Sequence, residues 1–348
     1  MGNCLNFGGS KPPPYLKRIF LFCIIGLITS EFVQNLTGVF IMLVIFICLA
    51  AVMLLAGSFL AYKIAFYSPP KDREKLNNPK DPQYDPYRPE MKRIYHQLND
   101  RPYERVRIVS EDGLRLEGRY YHIKDGAPLD MGFHGYRSNP ITDFSGGSEL
   151  TFQMEHNLLL IEQRAHGKSE GNTISFGILE RKDLLCWVNY AIKRFGADVQ
   201  ILLYGVSMGG ATVLMASELE LPHNVKGIIA DCPYAKPLDV ILHVGKTTVF
   251  PQWLIKPFAI LGARIFGGFD LLETDAVRAV QNTEVPILII HGEADHYVPC
   301  EMSAEAAEAN PKMVQRHTFP DAAHGISYLV DTPRYQKIAR KFIQKVLS

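Results

Sequence analysis

Two serines in this chain lie in the pattern Gly-x-Ser-x-Gly, which presents a serine hydroxyl for nucleophilic attack. They are Ser207 and Ser169. Such a turn needs a strand directly before it, a helix directly after it, and glycines where the backbone is tight. The residues before Ser207 predict that strand and the residues after it predict that helix, whereas Ser169 is followed by no helical pattern. We therefore predict Ser207 as the nucleophile, held between Gly205 and Gly209, and Ser169 as a loop residue.

A serine hydroxyl becomes a good nucleophile when a base takes its proton and a carboxylate orients that base. Asp295 and His324 each follow an apolar run that predicts a strand. The carboxyl ends of parallel strands meet at one edge of a sheet, so both side chains are expected near Ser207. We predict Asp295 as the orienting acid and His324 as the general base. The second candidates are Asp231 for the acid and His296 for the base.

Attack on a carbonyl creates a negative oxygen, which needs preorganised N–H donors. One donor is expected to be the N–H of the residue after the nucleophile, Met208. The other comes from the loop after the third strand, where Gly135 permits close approach of the backbone. The N–H of Tyr136 is the predicted second donor, and its hydroxyl is a further candidate.

Eight segments predict the strands that position these groups: 105–109, 114–122, 131–134, 158–162, 201–205, 227–231, 287–291 and 314–319. The first two alternate apolar and polar residues around a Glu-Asp-Gly turn, which predicts an antiparallel hairpin. Most of the others are continuous apolar runs separated by helical segments, which predicts a mostly parallel sheet with helices on both faces. Asp130 and Gly132 interrupt the third strand and predict an irregularity there.

Composition excludes several other functions. The 348 residues include 37 basic and 36 acidic side chains, so no basic excess exists for nucleic-acid phosphates. Six cysteines do not make a disulfide scaffold. The run 167–169, Gly-Lys-Ser, resembles part of a phosphate loop, but Glu162 occupies the position where that loop needs glycine. No cluster with metal-ligand spacing stands out, and we expect no nucleic acid, no metal and no cofactor.

The first 66 residues predict a membrane anchor. The uncharged run Gly38–Tyr62 is long enough, as a helix, to cross the roughly 30 Å of bilayer hydrocarbon. A shorter apolar run, Ile19–Ser30, is a possible second span, which would complete a hairpin, or an interfacial helix. Basic residues flank the stretch Ile19–Tyr62 on both sides, and none lies between these two residues. The positive-inside rule therefore favours a plasma-membrane protein whose globular part is cytoplasmic.

The rest of the chain is predicted to be one spacer and one domain. Six prolines within residues 67–89 predict an extended spacer, which we place at 67–94. The globular domain then covers 95–348. The insert after the sixth strand, about 233–284, is rich in large apolar residues and predicts a helical cap. Its apolar faces either line an acyl pocket or pack on the body.

Together these motifs resemble the α/β-hydrolase superfamily over residues 95–347. The resemblance rests on the segments HGYRSNP, QRAHGKSEG, GVSMGG, HGEADHYVP and DAAHG, and on the chain order Ser, Asp, His. The segments DFSGGSE and GFDLLETDA look like a membrane-anchored group of Gram-positive bacteria, akin to the serine-aminopeptidase-like and abhydrolase-domain branches. The resemblance implies an α/β-hydrolase fold and hydrolysis through a serine triad, but no particular substrate.

The leading expectation is a membrane-anchored serine hydrolase that cleaves a carboxylic ester or thioester through an acyl-enzyme. Its partners would be the membrane and a small-molecule or lipid acyl substrate. A serine peptidase of aminopeptidase type is the enzymatic alternative. The alternative of another class is a catalytically silent member that serves as a membrane scaffold or receptor. The oligomeric state is left open.

Overall fold

The computed structural model describes residues 14–70, 82–246 and 251–348. One eight-stranded sheet has the order β1-β2-β4-β3-β5-β6-β7-β8. Its strands are β1 (Glu104–Val109), β2 (Arg115–Tyr121), β3 (Leu129–Phe133), β4 (Asn157–Glu162), β5 (Ile201–Val206), β6 (Val225–Asp231), β7 (Ile287–Gly292) and β8 (Val314–Phe319). β2 is antiparallel to β1 and to β4, and every other neighbouring pair is parallel. The predicted mostly parallel eight-stranded sheet is confirmed.

Helices cover both faces of this sheet. The described α-helices, in chain order, are α1 (Pro14–Ala61), which precedes the sheet, and then α2 (Arg88–Asn99), α3 (Pro140–Gln153), α4 (Glu180–Phe195), α5 (Met208–Ala216), α6 (Pro237–Gly245), α7 (Gln252–Gly262), α8 (Ala276–Val280), α9 (Cys300–Ala309), α10 (Ser327–Val330) and α11 (Thr332–Leu347). Successive residues of a strand point to opposite faces. Accordingly, Leu203 of β5 packs in the core that includes Val213 of α5, and Leu202 packs in the core that includes Phe342 of α11.

The interrupted third strand is regular and fully buried. Asp130 is tolerated there because Thr151 donates to one of its carboxylate oxygens at 2.6 Å and His156 lies 3.0 Å from the other. A Cβ on Gly132 would lie 2.6 Å from the end of the Leu160 side chain, so a larger residue would force that side chain to shift. The expected irregularity is therefore wrong: two long-range contacts accommodate both residues.

Two arrangements of the membrane anchor were predicted, one helix or a hairpin of two spans, and the structure shows one helix. α1 is one continuous helix, because no glycine or proline stands between residues 31 and 37 to end it. A π-helical turn, Tyr62–Phe66, continues it. Within the described residues one helical stretch, Leu36–Phe66, is long and apolar enough to cross a membrane. Residues 1–13 of the predicted anchor lie outside the described residues.

The chain divides into two compact units, Met1–Gly57 and Ser58–Ser348. The end of the apolar helix, predicted to belong to the anchor, is therefore part of the globular unit. Ser58, Tyr62 and Phe66 recur every four residues and are buried in it. Phe66 is fully buried, and its ring lies 5.7 Å from that of Phe176.

The predicted spacer is shorter than 67–94. Residues 71–81 lie outside the described residues, but Pro82–Tyr87 form a 3-10 helix and α2 follows directly. Pro89 suggested a spacer, yet it lies in the first turn of α2, where the missing N–H has no intrahelical partner to lose. Tyr84 and Ile94 are buried, so this segment packs on the body.

The insert between β6 and β7 is helical, as expected. It contains α6, α7, a second π-helical turn (Ala263–Gly267) and α8, and residues 247–250 lie outside the described part. A ring nitrogen of His243 in α6 lies 3.1 Å from the backbone carbonyl of His296, in the loop after β7. The insert therefore contacts a loop that carries a predicted site residue.

Candidate active site

Ser207 lies at the turn between β5 and α5 with a φ of 55°. This left-handed conformation is costly for a residue with a side chain and recurs at functional turns. The flanking glycines make it possible. A Cβ on Gly209 would overlap the carbonyl of Phe133, and a Cβ on Gly205 would overlap the backbone of Gly209. The two glycines of the sequence pattern are thus required by close backbone packing.

The structure brings the three predicted residues into one hydrogen-bonded chain. Nε2 of His324 lies 2.9 Å from Oγ of Ser207. On the other side of the ring, Nδ1 of His324 lies 2.7 Å from Oδ2 of Asp295. These residues are 117 and 29 positions apart in the chain, and the loops after β5, β7 and β8 place them together. The arrangement can take a proton from the serine and stabilise the resulting imidazolium.

Asp295 is buried and held as a carboxylate. Burial by itself raises its pKa, but the charge of His324 and hydrogen bonds from His291 and His324 outweigh burial and hold the pKa well below its usual range. The N–H groups of Tyr297 and Val298 donate to Oδ1 at 2.9 and 2.8 Å. Its Oδ2 faces the imidazole of His324 and also lies 3.3 Å from Nε2 of His291, so the carboxylate is fixed in the orientation that the base needs.

The same pair sets a pH dependence. Burial lowers the pKa of His324, but the Asp295 carboxylate outweighs burial and raises it above 6.5. Because the base acts when neutral, we expect kcat/KM to fall as pH drops through this raised pKa. In Asp295→Asn the raising charge is lost, so the acidic limb should move to lower pH while kcat falls about 10⁴-fold. The pH profile on a soluble acyl ester measures both effects; an acidic limb that stays in place would contradict the assignment.

Two backbone donors are available beside the nucleophile. Within the described residues, neither the Met208 N–H nor the Tyr136 N–H donates to a protein acceptor. The loop that carries Tyr136 passes close to the nucleophile, because a Cβ on Gly135 would lie 3.3 Å from the Cβ of Ser207. Buried N–H groups are normally paired, so these two suit a ligand oxygen.

The loop that carries Tyr136 is fixed from two sides. Asp143, in the first turn of α3, accepts hydrogen bonds from the Gly135 N–H and the Ser138 hydroxyl, both at 2.6 Å. The Tyr136 hydroxyl donates to the carbonyl of Ala65 at 2.8 Å. Burial raises the pKa of Tyr136 to about 12, so this donor keeps its proton. The hydroxyl is engaged away from the nucleophile, which leaves the N–H as the candidate donor.

Of the second candidates, Asp231 lies beside Ser207, whose N–H donates to the Asp231 backbone carbonyl at 2.8 Å, but the described side-chain bonds of Ser207 and of the His324 ring go to each other and to Asp295. Ser169 is buried in a loop, where its hydroxyl donates to the carbonyl of Glu162 and accepts from a strand N–H. His296 is exposed. Asp231 accepts from the Tyr335 hydroxyl at 3.0 Å, and burial raises its pKa to about 6. The described contacts therefore favour Asp295 over Asp231 as the partner of the base.

Cys232 lies next to the same pair. Its sulfur, a carboxylate oxygen of Asp295 and a ring nitrogen of His324 lie within 4.8 Å of one another, close enough to hold a metal ion. A thiol binds metal as a thiolate. Burial, however, raises the pKa of Cys232 well above its ordinary value, and both ring nitrogens of His324 already have protein partners. The donor set therefore fits a proton relay better than a metal centre.

Two residues that position the site were missed in the sequence. Tyr84 donates its hydroxyl to the backbone carbonyl of His324 at 3.0 Å. Tyr84 lies in the predicted spacer. The signal in the sequence was its residue type, since solvated segments contain few aromatic residues. Asp143 was overlooked because its role depends on the loop that folds back over it. Its location after Asn139-Pro140, a helix start, was the available signal.

Comparisons with known proteins bear on the fold and the family of this chain. The model of the Prolyl oligopeptidase family matches residues 176–348. The uncharacterized protein YqkD of Bacillus subtilis is 24% identical over 240 residues, which cover 69% of this chain and 78% of YqkD. The uncharacterized protein YfhR of Salmonella typhimurium is 26% identical, over 70% of this chain and 82% of YfhR. Among solved structures, the Pyrococcus furiosus esterase Pf2001 has a TM-score of 0.61 at 22% identity, covering 73% of this chain and 94% of the esterase.

Proposed function

We propose that this chain, a serine hydrolase of the α/β-hydrolase superfamily, cleaves a carboxylic ester or thioester. The observation that supports the proposal most directly is the hydrogen-bonded chain from Ser207 through His324 to Asp295. Each group has the partner that its role requires. Within the described residues, the N–H of Met208 at the start of α5 and the N–H of Tyr136 in the loop after β3 donate to no protein acceptor.

In the proposed reaction, Oγ of Ser207 attacks the carbonyl carbon while Nε2 of His324 takes the hydroxyl proton. The oxygen of the tetrahedral intermediate binds to the N–H groups of Met208 and Tyr136. His324 then gives its proton to the leaving alcohol or thiol, and an acyl-enzyme remains. Water, deprotonated by the same imidazole, attacks the acyl group and releases a carboxylic acid. Asp295 keeps the ring oriented throughout.

A panel of substrates tests the class of bond. We expect the full chain to hydrolyse p-nitrophenyl esters and acyl thioesters with kcat/KM well above that for aminoacyl p-nitroanilides. The family match to the Prolyl oligopeptidase model favours a second candidate, a peptidase of aminopeptidase type. If anilides carrying a free α-amino group were cleaved faster than every acyl ester, the peptidase function would replace the esterase function.

The proposed enzyme is anchored in a membrane by the helical stretch Leu36–Phe66. Basic residues lie on both sides of this stretch, with Lys11, Lys17 and Arg18 before it and Lys71, Arg73 and Lys75 after it. We place the catalytic unit on the cytoplasmic side of the plasma membrane, since basic residues follow the span closely. Its acyl substrate is a small molecule or a lipid.

A further inference from the structure

The helical insert packs against the end of the apolar helix. A Cβ on Gly262, at the end of α7, would lie 2.5 Å from the carbonyl oxygen of Ser58, so the two backbones are in close contact. The ring of Phe266, in the π-helical turn after α7, lies 5.1 Å from the ring of Phe59. All four residues belong to the same compact unit, Ser58–Ser348. The insert and the helix end therefore form one surface.

This contact fixes the depth of the insert relative to a bilayer. Ser58 lies eight residues before the end of the candidate span Leu36–Phe66. At about 1.5 Å per residue, α7 contacts the helix roughly 12 Å before its end. If the helix crosses a membrane, its last turns lie at the boundary between acyl chains and headgroups. The insert that packs on those turns must reach the same boundary.

The exposed side chains of these elements suit such a boundary. Large apolar residues of the helix end and of the insert are exposed, and we call them the apolar face: Phe59, Leu60, Ile64, Trp253 and Ile265. Trp253, in the first turn of α7, is 76% exposed. Lys63 and Lys256 are exposed on the same two elements and carry the charge that anionic headgroups attract. Tryptophan and lysine are the residues enriched where proteins meet the bilayer interface.

We propose that the apolar face is a second membrane contact, which inserts into the lipid interface beside the span. This inference rests on the proposed membrane anchoring and adds a substrate class to it. Ala65, between the apolar face and the globular body, accepts the hydrogen bond from Tyr136. The loop predicted to bind the oxyanion is therefore bonded to the segment that enters the interface. A catalytic loop that is bonded close to the lipid interface suits acyl lipids that reside in the bilayer as substrates.

The two tryptophans of the chain provide a direct test. Trp253 is 76% exposed and Trp187 is fully buried. The full chain is reconstituted in phosphatidylcholine vesicles whose acyl chains are brominated, and in unbrominated vesicles. We expect bromine to quench the Trp253 emission, measured as the difference between wild type and Trp253→Phe. The remaining Trp187 emission of Trp253→Phe should not change.

The outcomes separate the two proposals. A chain that does not float with the vesicles overturns the membrane anchoring, and this inference with it. A chain that floats but shows equal Trp253 emission in both vesicles overturns the apolar face alone. Protection of Trp253 from acrylamide without bromine quenching assigns the face to a second copy of the chain and equally contradicts a lipid contact.

Activity provides a second readout. We expect Trp253→Asp and Ile265→Asp to lower hydrolysis of an acyl ester carried in vesicles about tenfold, because each puts a charge into the interface. Hydrolysis of a short, water-soluble ester should stay at the wild-type rate. The matched control is Val109→Asp, which changes an exposed apolar residue on β1. Equal losses on both substrates, or an equal loss in the control, would refute the proposed contact.

Discussion

Ser207→Ala is expected to remove labelling of the purified full chain by a fluorophosphonate probe and to lower kcat/KM for a soluble acyl ester by on the order of 10⁴-fold or more. The reason is that Oγ of Ser207 is the atom that the His324 imidazole reaches, at 2.9 Å. Alanine keeps the Cβ and removes only the attacking oxygen. In-gel fluorescence measures the labelling, and steady-state kinetics measures the loss of hydrolysis.

The second serine of the same sequence pattern is the matched control. Ser169→Ala removes a buried hydroxyl that bonds to backbone groups, so it should reduce stability by about 1–3 kcal/mol and leave labelling of the folded protein intact. Labelling that persists in Ser207→Ala and disappears in Ser169→Ala would reverse the assignment. A folded wild type that neither reacts with the probe nor cleaves any ester would instead support the silent scaffold.

Phe66→Ala is expected to lower the free energy of unfolding of the full chain in detergent by about 3–5 kcal/mol. Phe66 is fully buried, with rings of Phe176 and Phe269 at 5.7 and 5.4 Å, so alanine leaves a cavity in the core. That loss is a large part of the 5–15 kcal/mol that typically stabilises a folded protein. Chemical denaturation followed by circular dichroism measures it.

Phe59→Ala is the matched control for this prediction, because the same residue type lies two turns earlier on the same helix. Phe59 is half exposed and its ring contacts the ring of Phe266, so Phe59→Ala should lower the free energy of unfolding by about 1 kcal/mol. Equal decreases in the free energy of unfolding of Phe66→Ala and Phe59→Ala would contradict the burial of the helix end.

The same reasoning predicts that a soluble form starting at residue 82 unfolds more easily than one starting at Ser58.

The candidate nucleophile could be chosen from the sequence because its structural requirements are local. A strand, a tight turn with Gly205 and Gly209, and a helix follow one another within about 20 residues around Ser207, the size of a strand–turn–helix unit. Asp295 and His324 were found by the rule that ligands bind at the carboxyl ends of parallel strands. Those ends meet at one edge in any such sheet, so chain order was enough to choose them.

Other features depended on contacts between distant segments. Asp130 predicts an irregular strand from the sequence alone. The strand is regular because the side chains of His156 and Thr151 bond to its carboxylate. Pro89 predicts a spacer from the sequence alone, because proline occurs both in the first turn of a helix and in extended segments, and one sequence does not distinguish the two.

The sequence by itself determined the α/β architecture and the candidate nucleophile with its two candidate partners, since periodicity, turn glycines and strand ends are local properties. Only the tertiary structure decided where the apolar helix becomes part of the globular unit. Ser58, Tyr62 and Phe66 recur every four residues, but this buried face cannot be recognised in the sequence, because the surrounding run is apolar on every side of the helix. Burial of one face becomes apparent only when Phe176 and Tyr136, far along the chain, fold against it.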